Sequence, residues 1–138
     1  MSQTSQAIPL SLPQAEAGQK TILLAEDEEM VRRFVRGVLE SRGYRVLEAC
    51  HGEEALRVCA DYPGTIHLLL TDLLMPKMGG VGLAERVAQL RPETRVLYIS
   101  AYSRTDLAPA VLGQQKAALL RKPFRIAELV GAVAAALE

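Results

Sequence analysis

Ile66-His67-Leu68-Leu69-Leu70-Thr71-Asp72, followed at once by Leu73-Leu74-Met75-Pro76-Lys77-Met78-Gly79-Gly80, is the stretch on which the fold turns. The aliphatic run is short and continuous, as in a strand buried on both faces of a parallel sheet. Pro76 removes a backbone donor and the Gly79-Gly80 pair breaks the ladder, so the strand ends at about Asp72. A carboxylate at the carboxyl end of such a strand lies on the edge where open α/β sheets gather their reactive groups. A second aliphatic run, Thr21-Ile22-Leu23-Leu24-Ala25, closes on two more acids, Glu26 and Asp27. Three carboxylates brought to one edge repel one another unless a cation binds among them.

Outward from these two runs, short aliphatic segments alternate with longer ones of helical period. Strands are predicted at Thr21 to Glu26, Tyr44 to Ala49, Ile66 to Thr71, Arg95 to Ser100 and Ala117 to Arg121. In the first helical segment Val31, Phe34, Val35, Val38 and Leu39 share a face, and Gly43 is a stop signal near its end. The second carries Ala55, Leu56 and Cys59, the third Leu83, Ala84, Val87 and Leu90. In the fourth, Ser103 and Asp106 have the spacing of a capping box. The fifth repeats Ile126, Leu129, Val130, Val133 and Leu137. About five βα units imply an α/β fold, a parallel five-stranded sheet covered on both faces. Right-handed crossovers put every strand's carboxyl end on one edge.

The chain has 138 residues, enough for one domain, and 49% of them are apolar. Basic and acidic residues number 16 each, so no net charge draws the chain to nucleic acid or to a membrane surface. Residues 1–19, rich in Ser, Gln, Pro and Ala, read as a flexible leader or interdomain linker, with the folded domain spanning 20–138. No apolar run approaches the roughly 18 residues of a membrane span, and no signal-peptide pattern is present. The expected location is cytoplasmic. Cys50 and Cys59 are not in a C-x-x-C arrangement and read as buried free thiols.

The groups that end strands, or lie just past them, define a chemistry. Glu26, Asp27 and Asp72 supply hard oxygen ligands suited to Mg²⁺, or Mn²⁺. A divalent cation there keeps Asp72 ionised, as a nucleophile must be. Lys122, after the fifth strand, offers a positive charge to an incoming phosphoryl oxygen, and Ser100 offers a hydroxyl. Together they can neutralise a transferring phosphoryl group while Asp72 attacks phosphorus, giving an aspartyl phosphate.

The motifs ILLAEDEE, LLLTDLLMPKMGG, YISAYS and LRKPF, in this order, make the chain resemble the receiver domain of two-component response regulators and hybrid sensor kinases over Lys20 to Glu138. The resemblance implies a flavodoxin-like, doubly wound (βα)5 sheet of order 2-1-3-4-5; receivers are themselves a standard example of that order. It also implies that Asp72 is the phosphoacceptor and that Glu26 and Asp27 are the acidic pair, with Asp27 the more direct metal ligand. Leu74 would lend a backbone carbonyl to the metal, Ser100 is the hydroxyl residue that moves toward the phosphoryl group, and Lys122 is the family lysine. Lys122-Pro123 resembles a family peptide bond that is often cis.

The chain departs from the family at Leu119, where receivers usually carry Tyr or Phe coupled to the hydroxyl residue. Either the switch is muted or Tyr102 supplies the aromatic surface. Leu74 and Tyr102 flank the path of an attacking water and offer little to orient it, so slow self-dephosphorylation is expected.

Several residues have plainer readings. His51 reads as a solvated loop residue and His67 as packed inside a strand, while Glu53 and Glu54 enrich a helix first turn. Arg32, Arg33 and Arg36 read as a solvated basic face, although in the family the first helix often meets the histidine-bearing partner. Arg121 and Arg125 read as surface charges. Gly79-Gly80 is a turn before a helix, with nothing of a P-loop.

Three functions are compatible with these residues. The first is a phosphoacceptor served by a histidine kinase or histidine phosphotransfer domain, signalling to a downstream protein through the fourth-helix, fifth-strand and fifth-helix face. Such a module is not an enzyme beyond gaining and losing its own phosphoryl group, and it meets no nucleic acid or membrane directly. The second is a pseudo-receiver that only binds partners. The third is a Mg²⁺-dependent phosphatase with an aspartyl nucleophile, disfavoured by Leu74 where a second acid would stand. The leader Ile8-Pro9-Leu10-Ser11-Leu12-Pro13 resembles the join between a kinase ATP-binding domain and a C-terminal receiver, so the expected parent is a hybrid sensor kinase, which would tether the domain.

Overall fold

The computed structural model describes residues 18–101 and 118–138. Five strands are present there: β1 (Thr21–Ala25), β2 (Arg45–Ala49), β3 (Leu68–Asp72), β4 (Arg95–Ser100) and β5 (Ala118–Arg121). Four helices connect and flank them: α1 (Glu29–Ser41), α2 (Gly52–Asp61), α3 (Gly80–Leu90) and α4 (Ile126–Ala136). The fourth helical segment, Tyr102, Ala117 and most of the leader lie outside the described residues.

The strands form one parallel sheet in the order β2-β1-β3-β4-β5. With β1 lying between β2 and β3, and β4 and β5 added beyond β3, this is the expected 2-1-3-4-5 arrangement. Alternation along each strand divides the core into two layers. Ile22, Leu24, Leu68, Leu70, Leu97 and Ile99 face α1 and α4, whose Val35, Leu39, Leu129 and Val133 close that layer. Leu23, Ala25, Leu69 and Tyr98 face α2 and α3, meeting Ala55, Cys59, Leu83 and Val87. Burial of each such aliphatic side chain stabilises by about 1.5–3 kcal/mol.

Several sequence expectations need correction. Phe34 is 45% exposed and Leu90 52% exposed, and Ile126 is exposed as well. Phe34 sits on the trailing edge of the α1 stripe, one step of about 100° from Val35. Leu90 and Ile126 are the last residue of α3 and the first of α4. Ile66 is fully buried but precedes β3 by two residues, so His67 stands before the strand rather than inside it. There His67 Nδ1 accepts the Thr21 N–H at 2.9 Å. His51 is the N-cap of α2, its Nδ1 accepting the Glu54 N–H at 3.1 Å, so it is half-buried rather than fully solvated. Cys59 is buried, whereas Cys50 is only partly so. Gly43, at φ +92°, ends α1 in the left-handed conformation that glycine adopts without strain.

Candidate functional site

The carboxyl ends of β1 and β3 adjoin in the sheet, since Ala25 pairs with Thr71. One residue further along each chain stand Glu26 and Asp72, both buried at 0% and 8% exposure. Asp27, next in sequence, is exposed at the mouth. One carboxylate oxygen from each of Glu26, Asp27 and Asp72 lies within 4.8 Å of the others. The trans span across an octahedral Mg²⁺ is roughly 4 Å, twice its metal–oxygen bond. An all-oxygen donor set on that scale, mostly buried, fits a small hard dication.

Backbone amides orient the two buried carboxylates. Asp72 Oδ1 accepts the Leu74 N–H at 3.1 Å, while Glu26 Oε2 accepts the Glu28 N–H at 3.0 Å. Lys122 reaches across from the end of β5, placing Nζ 2.9 Å from Asp72 Oδ2, 3.5 Å from Glu26 Oε1 and 3.7 Å from Glu28 Oε1. The Lys122-Pro123 bond is cis.

These contacts set the protonation balance. Burial pushes the Glu26 carboxyl up to about 7, reinforced by the Asp72 charge and opposed by the Glu28 N–H and by Lys122. Burial works against the Lys122 ammonium as well, yet the Asp72 hydrogen bond and the charges of Glu26, Asp72 and Glu28 hold it above its ordinary value. A carboxyl that burial makes this reluctant to ionise would be favoured in its charged form by a cation bound beside it.

The turn after Asp72 is tightly built. Gly80 packs so closely that a Cβ there would stand 2.6 Å from the Asp72 carbonyl oxygen. Only glycine admits that approach. Lys77 has φ +70°, and the Met78 N–H bonds the Pro76 carbonyl across it at 2.7 Å, a γ-turn of the strained, positive-φ kind. Leu74 projects outward, 60% exposed.

Ser100 closes β4, buried, in register with Arg121 and one residue beyond the partner of Asp72. Its carbonyl accepts the Lys122 N–H at 2.7 Å. Leu119 is half-buried on β5. His51 and His67 stay outside the acidic cluster, whose members are Glu26, Asp27 and Asp72.

Sequence reasoning missed two residues here. Glu28 joins the charges around Lys122, and Arg32 is not part of a solvated basic face. Its Nη1 donates to the Glu26 carbonyl at 2.9 Å and its Nε pairs with Glu48 at 3.2 Å. Arg36 binds Glu48 as well as Glu40 one turn on, whereas Arg33 pairs with exposed Glu29 on its own helix. The one available sequence signal was the four-residue step from Glu28 to Arg32, which puts Arg32 one helical turn behind the acidic turn.

Comparison with known proteins agrees with this geometry. The response regulator receiver domain family matches residues 22–134. The chain is 36% identical over 114 residues to the response regulator receiver protein CpdR of Brucella abortus, covering 83% of this chain and 93% of CpdR. It is 34% identical over 122 residues to the sensor kinase CckA of the same organism, covering 88% of this chain but 13% of that kinase's length. A crystal structure of the receiver domain from the hybrid histidine kinase CckA superposes with a TM-score of 0.73 at 35% identity, over 86% of this chain and 99% of that one. A receiver protein from Sinorhizobium medicae gives 0.76 at 26% identity, covering 88% and 97%. By the span of the match, the sheet order and these relatives, the chain belongs to the response regulator receiver domain family.

Proposed function

We propose that this domain accepts a phosphoryl group from a partner's phosphohistidine onto Asp72, in a Mg²⁺-dependent step of a phosphorelay. The observation that carries the reading is the convergence of Glu26, Asp27 and Asp72 with the Lys122 ammonium on the Asp72 carboxylate. Glu26, Asp27, Asp72 and the Leu74 carbonyl would hold the ion, which supplies neutralising charge for the buried acids and the phosphoryl oxygens. An Asp72 oxygen attacks phosphorus, the P–N bond to the donor imidazole breaks, and its electron pair stays on that nitrogen. Lys122 then shares its charge between Asp72 and a phosphoryl oxygen, and the Ser100 hydroxyl donates to another. The Leu74 N–H, already on Asp72 Oδ1, holds the carboxylate plane during attack.

The donor is a histidine kinase or a histidine phosphotransfer domain. The output surface includes β5 and α4, where Leu119 replaces the family's usual aromatic residue. Likeness to the CckA receiver supports a hybrid sensor kinase parent, as the leader suggests, and likeness to CpdR along nearly its whole length supports a self-standing regulator. No helix among the described residues is long and apolar enough to cross a membrane.

Acetyl phosphate, or beryllium fluoride, added with Mg²⁺ tests the reading. The expected result is a stoichiometric adduct on the wild-type protein that is lost in Asp72→Ala. Steady turnover of phosphate esters would instead indicate a phosphatase. A folded protein that forms no adduct would leave only partner binding.

A further inference from the structure

Two acids of the pocket, Glu26 and Asp27, share one peptide group. Its carbonyl is that of Glu26, and its planarity ties together the Cα atoms from which both side chains depart. Whatever holds that carbonyl therefore sets the direction of both carboxylates. Three contacts bear on this turn. The Glu26 N–H bonds the Ala49 carbonyl at 3.1 Å, the Glu28 N–H closes onto Glu26 Oε2, and the Arg32 guanidinium grips the Glu26 carbonyl at 2.9 Å.

Arg32 is held at its other end. Its Nε pairs with Glu48 on β2 at 3.2 Å, and its side chain is only 17% exposed. Glu48 lies in register with Leu24 of β1, so the guanidinium spans from near the end of one strand to the turn beyond its neighbour. Arg36, one turn further along α1, binds the other Glu48 oxygen and keeps that carboxylate in place. Arginine suits this span because its fork offers two donors in fixed relation, here to two different acceptors, which a lysine ammonium cannot reproduce.

We infer that Arg32 is a positioning residue for the acidic pocket, bracing the Glu26–Asp27 peptide so that both carboxylates meet a divalent cation. The inference rests on the Mg²⁺-dependent phosphoacceptor reading. Groups that orient metal ligands without touching the metal typically change affinity by about 10–100-fold when removed. The sign separates this role from a field effect. A guanidinium near a cation site repels the cation, so removing its charge alone would tighten Mg²⁺ binding. Loss of the brace weakens it.

The test is Mg²⁺ titration of the metal-free protein, followed by backbone amide shifts, with urea unfolding of the same samples in parallel. In Arg32→Met the dissociation constant is expected to rise about 10–100-fold. In Arg32→Lys, which keeps the charge and loses the fork, it rises by a smaller but clear factor of at least about threefold. Arg33→Gln removes the same charge from the outward pair with Glu29 and leaves the constant within about twofold. Arg32→Lys decides the matter if Arg32→Met fails to fold. An unchanged constant in a folded Arg32→Lys, or tighter binding in Arg32→Met, overturns the inference while leaving the phosphoacceptor reading intact. Reduced urea stability with an unchanged constant also overturns it, since that is the signature of a purely structural residue. Absence of Mg²⁺ binding by the wild-type protein would overturn both.

Discussion

Neutralising Glu26 should make the metal-free protein more stable, and increasingly so as the pH rises. The fold lifts this carboxyl from 4.5 to about 7, chiefly by burial. A raised carboxyl value means that the folded state prefers the protonated form. Its stabilising share is therefore complete below about 4.5 and is lost as the pH climbs through about 7. One pKa unit corresponds to about 1.4 kcal/mol, so the whole effect is about 3 kcal/mol, most of it appearing between pH 5 and pH 8. Glu26→Gln mimics the protonated state and keeps an oxygen to accept the Glu28 N–H. Urea unfolding in chelator, followed by far-ultraviolet circular dichroism because the chain has no tryptophan, gives the comparison. At a slope of roughly 1–3 kcal/mol/M, the variant's midpoint should exceed that of the wild type by about 1–3 M at pH 8 and by much less at pH 5. Added Mg²⁺ should close much of the gap at pH 8, because the ion at about 100 times its Kd returns about 2.7 kcal/mol to the wild type and less to the variant. A gap between the two proteins that stays constant from pH 5 to pH 8 would refute the reasoning.

Further outcomes follow from other contacts. Leu74→Asn should speed loss of phosphate from Asp72 by roughly fivefold, the worth of one water-orienting hydrogen bond; a half-life equal to or longer than that of the wild type would count against it. Arg91 donates to the carbonyls of Cys59, Gly64 and Tyr62 at 2.8, 2.7 and 2.5 Å, tying the end of α3 to the end of α2. Arg91→Met should lower unfolding free energy by about 2–3 kcal/mol with an unchanged urea slope; a loss below about 0.5 kcal/mol would show that water replaces the guanidinium. His67 is held below its ordinary value by burial and by Lys20, and its Nδ1 must be unprotonated to accept the Thr21 N–H. Its contribution is present above about pH 6.5 and lost as the pH falls through the folded value. His67→Gln, which retains an acceptor, should flatten the stability profile on that acid side, and an unaltered slope there would exclude His67 as its source.

Much of the fold was legible because its signals are local. A run such as Leu68-Leu69-Leu70 between polar turns declares a doubly buried strand without reference to the rest of the chain, and helical period marks α1 and α3. Where the local signal is weak, the reading slipped. Phe34 and Leu90 fit their stripes by spacing, yet Phe34 falls at the edge of its stripe and Leu90 at the end of its helix, and both are exposed. His67 looked like strand because its neighbours are aliphatic, but ladder pairing begins with Leu68. Arg32, Arg33 and Arg36 looked alike because only the position of β2 distinguishes the two that reach Glu48 from the one that does not.

The alternation of strands and helices, and the acids placed at the carboxyl ends of two of the strands, were set by the order of residue types along the chain. Parallel topology with one hand of crossover then leaves those acids a single edge to share. Tertiary structure alone decided the rest. Lys122 meets Asp72 across 50 residues of chain, and Glu26 acquires its reluctance to ionise only when the closed sheet removes water from it. Arg32 becomes a brace only when β2 brings Glu48 beside it. Electrostatic character belongs to the distance and dielectric between groups remote in sequence, and neither exists until the chain has folded.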